Sequence, residues 1–208
     1  MNTTHMSSAR RQSLKRCSWP GIADAEYQRY HDEEWGVPLT DDRALFEKLV
    51  LEGFQAGLSW LTILKKRPNF RCAFSGFEPE RVARFGARDI ARLMKDEGIV
   101  RNRAKIEATI SNAKAYARLA EHTSLSEFLW GFLETGPIQN QHRVMADIPA
   151  QTELSGRISK ALKAEGFRFV GPTTLYAFMQ SAGMVNDHLV DCHRHAPCAK
   201  LQRSRAMH

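Results

Sequence analysis

Asp41-Asp42-Arg43-Ala44-Leu45-Phe46-Glu47-Lys48-Leu49-Val50-Leu51-Glu52-Gly53-Phe54-Gln55-Ala56-Gly57-Leu58-Ser59-Trp60 is the stretch on which the reading of this chain turns. Asp41 and Asp42 can cap a helix that carries Leu45, Phe46, Leu49 and Val50 on one face. Gly57 interrupts it, and Ser59 can cap a second helix running from Trp60 to about Lys66, ending before Pro68. On a plot at 100° per residue, Leu45, Leu49 and Ala56 fall within about 40° of one another, and Glu52 lies roughly 20° to the other side of Leu45. An acid therefore sits at the edge of the inward face, near the helix C-terminus, where the dipole disfavours negative charge. Two readings follow: an edge glutamate that reaches solvent or a lysine, or a carboxylate compensated by a ligand.

The same grammar extends outward. Strand signals are poor, and capped helical periodicity dominates from Asp41 to about Gln180. Further helices are expected over 79–85, 88–96, about 102–120, 124–134, 156–165 and 173–182, with Gly98, Gly136, Gly166 and Gly183 where helices should stop. The expected fold class is all-α. There is no internal repeat or low-complexity segment, and residues 68–150 read as a helical body with little specific chemistry.

With 208 residues, 43% hydrophobic and 25% charged, the chain fits one domain or two small lobes. No apolar run approaches the ~18–20 residues of a membrane span, and no apolar segment follows the basic N-terminus as in a secretory signal. A cytoplasmic location is expected. The net charge of +7 divides unevenly: Arg10, Arg11, Lys15 and Arg16 give +4 in 1–16, and Lys200, Arg203 and Arg205 give +3 in 199–208. Residues 17–198, the expected domain with a site between its lobes, therefore carry 7 − 4 − 3 = 0. The flanking basic tails are expected to be disordered, so nucleic-acid binding by the core must rest on local features.

Those features cluster. Trp19, Tyr27, Tyr30, Trp35 and Trp60 include three of the four tryptophans and two of the four tyrosines. Flat π-faces beside an acid suit a flat ligand with positive charge. Cys17 and His31 precede the helical body, and His188 and Cys192 follow it at i, i+4 spacing. Two thiolates and two imidazoles satisfy a closed tetrahedral Zn²⁺ site, which would tie the first segment to the last. His193, His195 and Cys198 compete for the same role, and ordinary buried thiols with a surface histidine cluster give the same pattern. Residues 158–182 read helix, loop, helix: Ile158–Glu165, then Gly166 to Pro172, then Thr173–Gln180. Thr173 and Thr174 leave free backbone N–H groups where phosphate can bind, with Lys163 and Arg168 nearby in sequence. This resembles the helix-hairpin-helix element that grips a DNA backbone, although any αα-hairpin with glycine stops reads alike.

Taken together, Cys-x-Trp at 17–19, Tyr-x-x-Tyr-His-Asp-x-Glu-Trp-Gly at 27–36, Leu-Glu-Gly-x-Gln-Ala-Gly-Leu-Ser-Trp at 51–60, Phe-Val-Gly at 169–171 and Val-Asn-Asp-His-x-Val-x-Cys at 185–192 resemble the bacterial 3-methyladenine DNA glycosylase I family. The resemblance implies a helix-hairpin-helix glycosylase fold, one structural zinc per chain on Cys17, His31, His188 and Cys192, and release of 3-methyladenine from alkylated double-stranded DNA. It matches Glu52 to the base-reading carboxylate, and Trp19, Tyr27, Tyr30 and Trp60 to the pocket aromatics. Leu58 matches the residue that fills the gap left by the extruded base. The DNA-gripping hairpin then comprises Lys163, Arg168, Gly171 and Thr173. The segment between Cys17 and Tyr27 is slightly longer than in the family, which bears on Trp19. Trp35 is left without an assigned contact and reads as core.

The chemistry suits these residues. N3-alkylated adenine is formally cationic and its glycosidic bond is already weakened, so selection among normal bases is the main task. Extrusion costs a few kcal/mol, less for a damaged base. A cationic base gains about 0.5–2 kcal/mol per π-contact and gains further from a buried carboxylate. Asp187 and Asp191 follow the hairpin, where related enzymes place a catalytic aspartate, but Asp187 adjoins His188 and can instead orient it. No hairpin lysine is placed as a Schiff-base nucleophile, so a monofunctional enzyme is expected; a monomer is expected as well. The alternatives are a non-enzymatic zinc-stapled DNA-binding module and a glycosylase for other alkylpurines.

Overall fold

The computed structural model describes residues 14–205, and Arg10 and Arg11 of the expected basic tail lie outside them. The chain builds α1 (Ala25–Glu33), α2 (Asp42–Gln55), α3 (Trp60–Ala73), α4 (Pro79–Val82), α5 (Ala87–Leu93), α6 (Arg103–Leu119) and α7 (Leu125–Trp130). After a two-residue strand, β1 (Ile138–Gln139), come α8 (Glu153–Ala164), α9 (Pro172–Ser181), β2 (Val185–Asn186) and α10 (His195–Arg205). The two strands pair in parallel, Ile138 with Val185 and Gln139 with Asn186. No described helix is long and apolar enough to cross a membrane.

α2 is the axis. Leu45, Phe46, Leu49, Val50, Leu51 and Phe54 are all buried, and the helix packs against α3, α6, α7 and α9. Burying each such side chain contributes about 1.5–3 kcal/mol. Asp41 caps the helix as expected, accepting from the backbone N–H of Ala44 at 2.8 Å. Asp42 works elsewhere: its carboxylate accepts from the N–H groups of Leu125 and Ser126 at 3.0 and 2.9 Å, capping the first turn of α7. At the far end, buried Lys105 donates to the carbonyls of Phe54 and Ala56 at 2.9 and 2.7 Å. A cation thus satisfies carbonyls that a helix end leaves unpaired. Gly53 lets α2 pass close to the α8–α9 turn, since a Cβ there would lie 3.3 Å from Cβ of Phe169.

Three expectations require correction. α3 runs through Pro68 to Ala73 rather than stopping near Lys66. Proline in a helix interior costs about 3 kcal/mol, but the continued turn buries Phe70 and Phe74 completely. Phe70 lies 4.7 Å from Phe54 between ring centroids, so core packing offsets the lost hydrogen bond. α10 extends over residues expected to be a disordered tail, with Cys198, Ala199 and Gln202 buried and Gln202 Nε2 donating to the Gly36 carbonyl at 2.8 Å. At the other end, Arg16 pairs with Asp32 at 2.6 Å, so the expected N-terminal tail is anchored from at least that residue. α1 is a further helix without an apolar period: only Tyr30 and His31 are buried, and Asp24 caps it through the N–H groups of Glu26 and Tyr27.

Candidate active site and metal centre

α1, α2, α3 and α9 enclose a cavity of about 390 Å³. Trp19 from the N-terminal segment, Tyr27 and Tyr30 from α1, and Trp60 at the start of α3 supply its aromatic lining. Trp19 and Tyr27 lie 5.0 Å apart between centroids, and Tyr30 and Trp60 lie 5.5 Å apart. Ser59 caps α3 through the Thr62 N–H and so fixes where Trp60 leaves the helix. Met145, Ile148, Pro149 and Ala150 close one side, and Thr173, Tyr176, Ala177 and Gln180 of α9 another.

Glu52 reaches this cavity from α2 and is only 4% exposed. Its one hydrogen bond among the described residues comes from Ser181 Oγ, 2.9 Å from Oε1. Burial pushes its pKa up to about 7, against the opposing pull of Lys48 one turn earlier and of the Ser181 hydroxyl. Lys48 lies 5.5 Å from the Tyr30 ring centroid, and burial lowers its pKa. Burial, assisted by the charge of Glu52, pushes Tyr27 up to about 12 and Tyr30 well above the usual phenol range. Both phenols therefore keep their protons at neutral pH and can donate. Trp60 Nε1 is buried without a hydrogen-bond partner. The site thus joins a carboxylate with free acceptor capacity to several π-faces and unoccupied donors.

Behind this cavity, Cys17, His31, His188 and Cys192 converge, all buried, with ligand atoms within 4.8 Å of one another. Cys17 Sγ to His188 Nδ1 is 3.6 Å, Cys192 Sγ to His188 Nδ1 3.6 Å and Cys192 Sγ to His31 Nε2 3.5 Å. The outer nitrogens fix the rings: His31 Nδ1 faces Asp32 at 2.8 Å and His188 Nε2 faces the Trp35 carbonyl at 3.0 Å. Donation at those atoms leaves the inner nitrogens as lone pairs. Burial lowers the pKa of His188, favouring the neutral imidazole that ligates. Backbone N–H groups of Leu189 and Arg194 point to the two sulfurs, each at 3.4 Å. The group can hold a metal ion. The competing residues are engaged elsewhere: His193 with Lys15 O, His195 with Asn140 O, and Cys198 beside Trp35 O.

Against known proteins, the pattern of the Methyladenine glycosylase family matches residues 19–195. The chain belongs to the methyladenine glycosylase family. It is 48% identical over 180 residues to DNA-3-methyladenine glycosylase 1 of Escherichia coli K12, covering 86% of this chain and 96% of that one. It is 49% identical over 184 residues to DNA-3-methyladenine glycosylase of Haemophilus influenzae, covering 88% and 97%. A crystal structure of 3-methyladenine DNA glycosylase I superposes with a TM-score of 0.85 at 47% identity, covering 87% of this chain and 100% of that one. A variant of 3-methyladenine DNA glycosylase I solved in complex with 3-methyladenine gives a TM-score of 0.80 at 42% identity, covering 83% and 93%.

Within this glycosylase the residues named from sequence fall into three places. Trp19, Tyr27, Tyr30, Glu52 and Trp60 share the cavity, and Thr173 joins them there. Leu58 is exposed on the α2–α3 loop, beside Gly57 at a φ of 86°. Lys163, Arg168 and Gly171 lie on α8 and the α8–α9 turn, with both basic residues exposed. That turn is pinned by Asn112, which accepts from Arg168 N at 2.7 Å and donates to its carbonyl at 3.0 Å. Trp35, expected as core alone, also lines the cavity and stands edge-on to His188 at 4.6 Å. Asp187 does not orient His188. It accepts from Tyr176 OH, Gln180 Nε2 and Asn140 Nδ2, each at 2.7 Å. Asp191 is exposed and pairs with Lys15. Tyr176 and Gln180 escaped the sequence reading because they sit on a helix whose apolar pattern explains itself; only the acid following the hairpin pointed toward them.

Proposed function

We propose that the protein is a monofunctional DNA glycosylase that excises 3-methyladenine from alkylated double-stranded DNA by hydrolysing the N-glycosidic bond, leaving an abasic site. The observation that carries the reading is Glu52: a buried carboxylate with a single hydrogen bond, facing a cavity lined by Trp19, Tyr27, Tyr30 and Trp60. Its ionised form lacks a full set of partners until a cationic base with N–H groups arrives. Neutral adenine brings no charge to offset the desolvation of Glu52, so it is refused. Stabilising positive charge more strongly in the transition state than in the ground state raises the rate as well as the selectivity.

Each part then has a task. Trp60 and Tyr27 stack on the base, and Tyr30 gives a polar contact to it. Leu58, exposed on its loop, fills the duplex where the nucleotide leaves. The α8–α9 turn acts as a helix-hairpin-helix: α9 starts at Pro172 behind an N-cap glycine, Gly171, that offers no side-chain bond, so its first N–H groups, including that of Thr173, are available to a backbone phosphate flanked by Lys163 and Arg168. Zinc fits the Cys17, His31, His188 and Cys192 group. Metal–nitrogen bonds of about 2.0 Å and metal–sulfur bonds of about 2.3 Å give tetrahedral N···S edges near 3.5 Å, close to the separations above. When bound, the metal is a closed structural clip between the chain ends, with no open position for chemistry. The enzyme works as a cytoplasmic monomer.

Incubating the protein with methylated duplex DNA and identifying the free base tests this reading. Release of 3-methyladenine is expected. Stable binding to undamaged DNA without release of any base would instead support a non-enzymatic DNA-binding module.

A further inference from the structure

Gln180 lines the cavity from the last turn of α9 and is half-buried. Its Nε2 lies 2.7 Å from Oδ2 of Asp187. A carboxylate only accepts hydrogen bonds, so the amine end of this amide must face it, and the oxygen end must face away. Oε1 has no hydrogen-bond partner among the described residues. Asp187 is itself held in place: Tyr176 OH shares Oδ2 at 2.7 Å, Asn140 Nδ2 donates to Oδ1 at 2.7 Å, and His142 Nε2 lies 3.3 Å from Oδ1. The neighbouring residue Ser181 donates to Glu52, so Gln180 and the base-reading carboxylate are adjacent parts of one wall.

We infer that Gln180 is a specificity-determining residue whose Oε1 accepts a hydrogen bond from the exocyclic amino group of the extruded base, with Asp187 locking the amide in that orientation. A free glutamine can turn its amide over to suit either a donor or an acceptor. Here the turn would set Oε1 against a buried carboxylate and leave Nε2 unpaired, which is costly in a site shielded from water. The wall is therefore committed to a donor. A 6-aminopurine supplies one; a 6-oxopurine presents a carbonyl oxygen to Oε1 and is rejected. The amino group offers two hydrogens, so Gln180 can take one while Glu52 takes the other beside the charged ring, and the role of Gln180 rests on that reading of Glu52.

The test compares the affinities of free 3-methyladenine and 3-methylhypoxanthine, its 6-oxo counterpart, by quenching of tryptophan fluorescence in the full, metal-loaded chain. Gln180→Leu should weaken 3-methyladenine by about tenfold, the value of one hydrogen bond, and leave 3-methylhypoxanthine nearly unchanged. Equal weakening of both ligands, or no change in either, overturns the proposal. If Gln180→Leu does not fold, Gln180→Met carries the same expectation. Asp187→Asn sharpens the point: it permits the flipped amide, so binding of 3-methylhypoxanthine should strengthen while the metal content stays unchanged. An unchanged ratio of affinities in that variant rejects the lock. If Glu52→Gln leaves binding of 3-methyladenine intact, the pocket reading fails, independently of the result at Gln180.

Discussion

Glu52 and Asp187 are both buried carboxylates, 4% and 1% exposed. Glu52 lines the cavity and Asp187 stands behind Tyr176 and Gln180, which line it, and the two acids are built in opposite ways. Asp187 accepts three hydrogen bonds at 2.7 Å and has an imidazole 3.3 Å away. Glu52 accepts one, from Ser181. A buried acid whose lone pairs are occupied is architecture: it joins α9 to the segment around Asn140 and His142. A buried acid left short of donors costs the empty protein stability when ionised, a cost that a proton or a ligand can relieve. Burial alone does not separate the two cases; the count of partners does.

The side of the molecule that holds Asp187 also carries the Cys/His group, and the largest effect is expected there. Chelating the metal, or Cys192→Ser, should abolish folding, because binding energy on the order of 10 kcal/mol is folding energy in such sites. Cys198→Ser should keep the metal. Metal analysis and circular dichroism check both, and a folded, metal-free wild type would remove the clip.

Glu52 should do the reverse and weaken the fold it belongs to. Its pKa rises from an ordinary 4.5 to about 7 on folding. Between those values the folded chain holds a proton that the unfolded chain releases, so stability falls as pH rises through that window. The full cost, about 3 kcal/mol, is present above pH 7. Glu52→Gln should therefore gain stability relative to wild type at pH 8 and lose that advantage near pH 4.5, as read by denaturant titration at the two pH values. Asp187→Asn should cost about 1–3 kcal/mol, since an amide must now face donors that a carboxylate satisfied. If instead Asp187→Asn were neutral, the contrast between the two acids would collapse. Leu58→Ala should change stability by less than about 0.5 kcal/mol, as an exposed loop residue. Its effect should appear only in base release, larger on duplex than on single-stranded substrate.

The sequence carried the α2–α9 frame because caps and apolar spacing agree there: Asp41, Ser59, Gly166 and Gly183 mark real ends. It did not carry α1 or α10, whose buried faces are narrow and partly polar, Tyr30 with His31 and Cys198 with Gln202. Nor did it foresee that α3 continues past Pro68, since the gain comes from Phe54, which is distant in sequence. In the cavity, the aromatic residues stood out in the sequence because they cluster in one stretch, and Glu52 because an acid is costly at the inward edge of a helix C-terminus. Gln180 and Tyr176 did not stand out, because what distinguishes them is their hydrogen bonds to Asp187, whose partners come together only when α9 and the segment after β1 meet.

In the proposed mechanism the underpaired carboxylate of Glu52 reads the lesion. The direct measurement is the rate of 3-methyladenine release from methylated duplex DNA by folded, metal-loaded Glu52→Gln beside wild type. A loss of at least about 100-fold is expected, as for removal of a group that stabilises transition-state charge. Release at a rate near that of the wild type would contradict it.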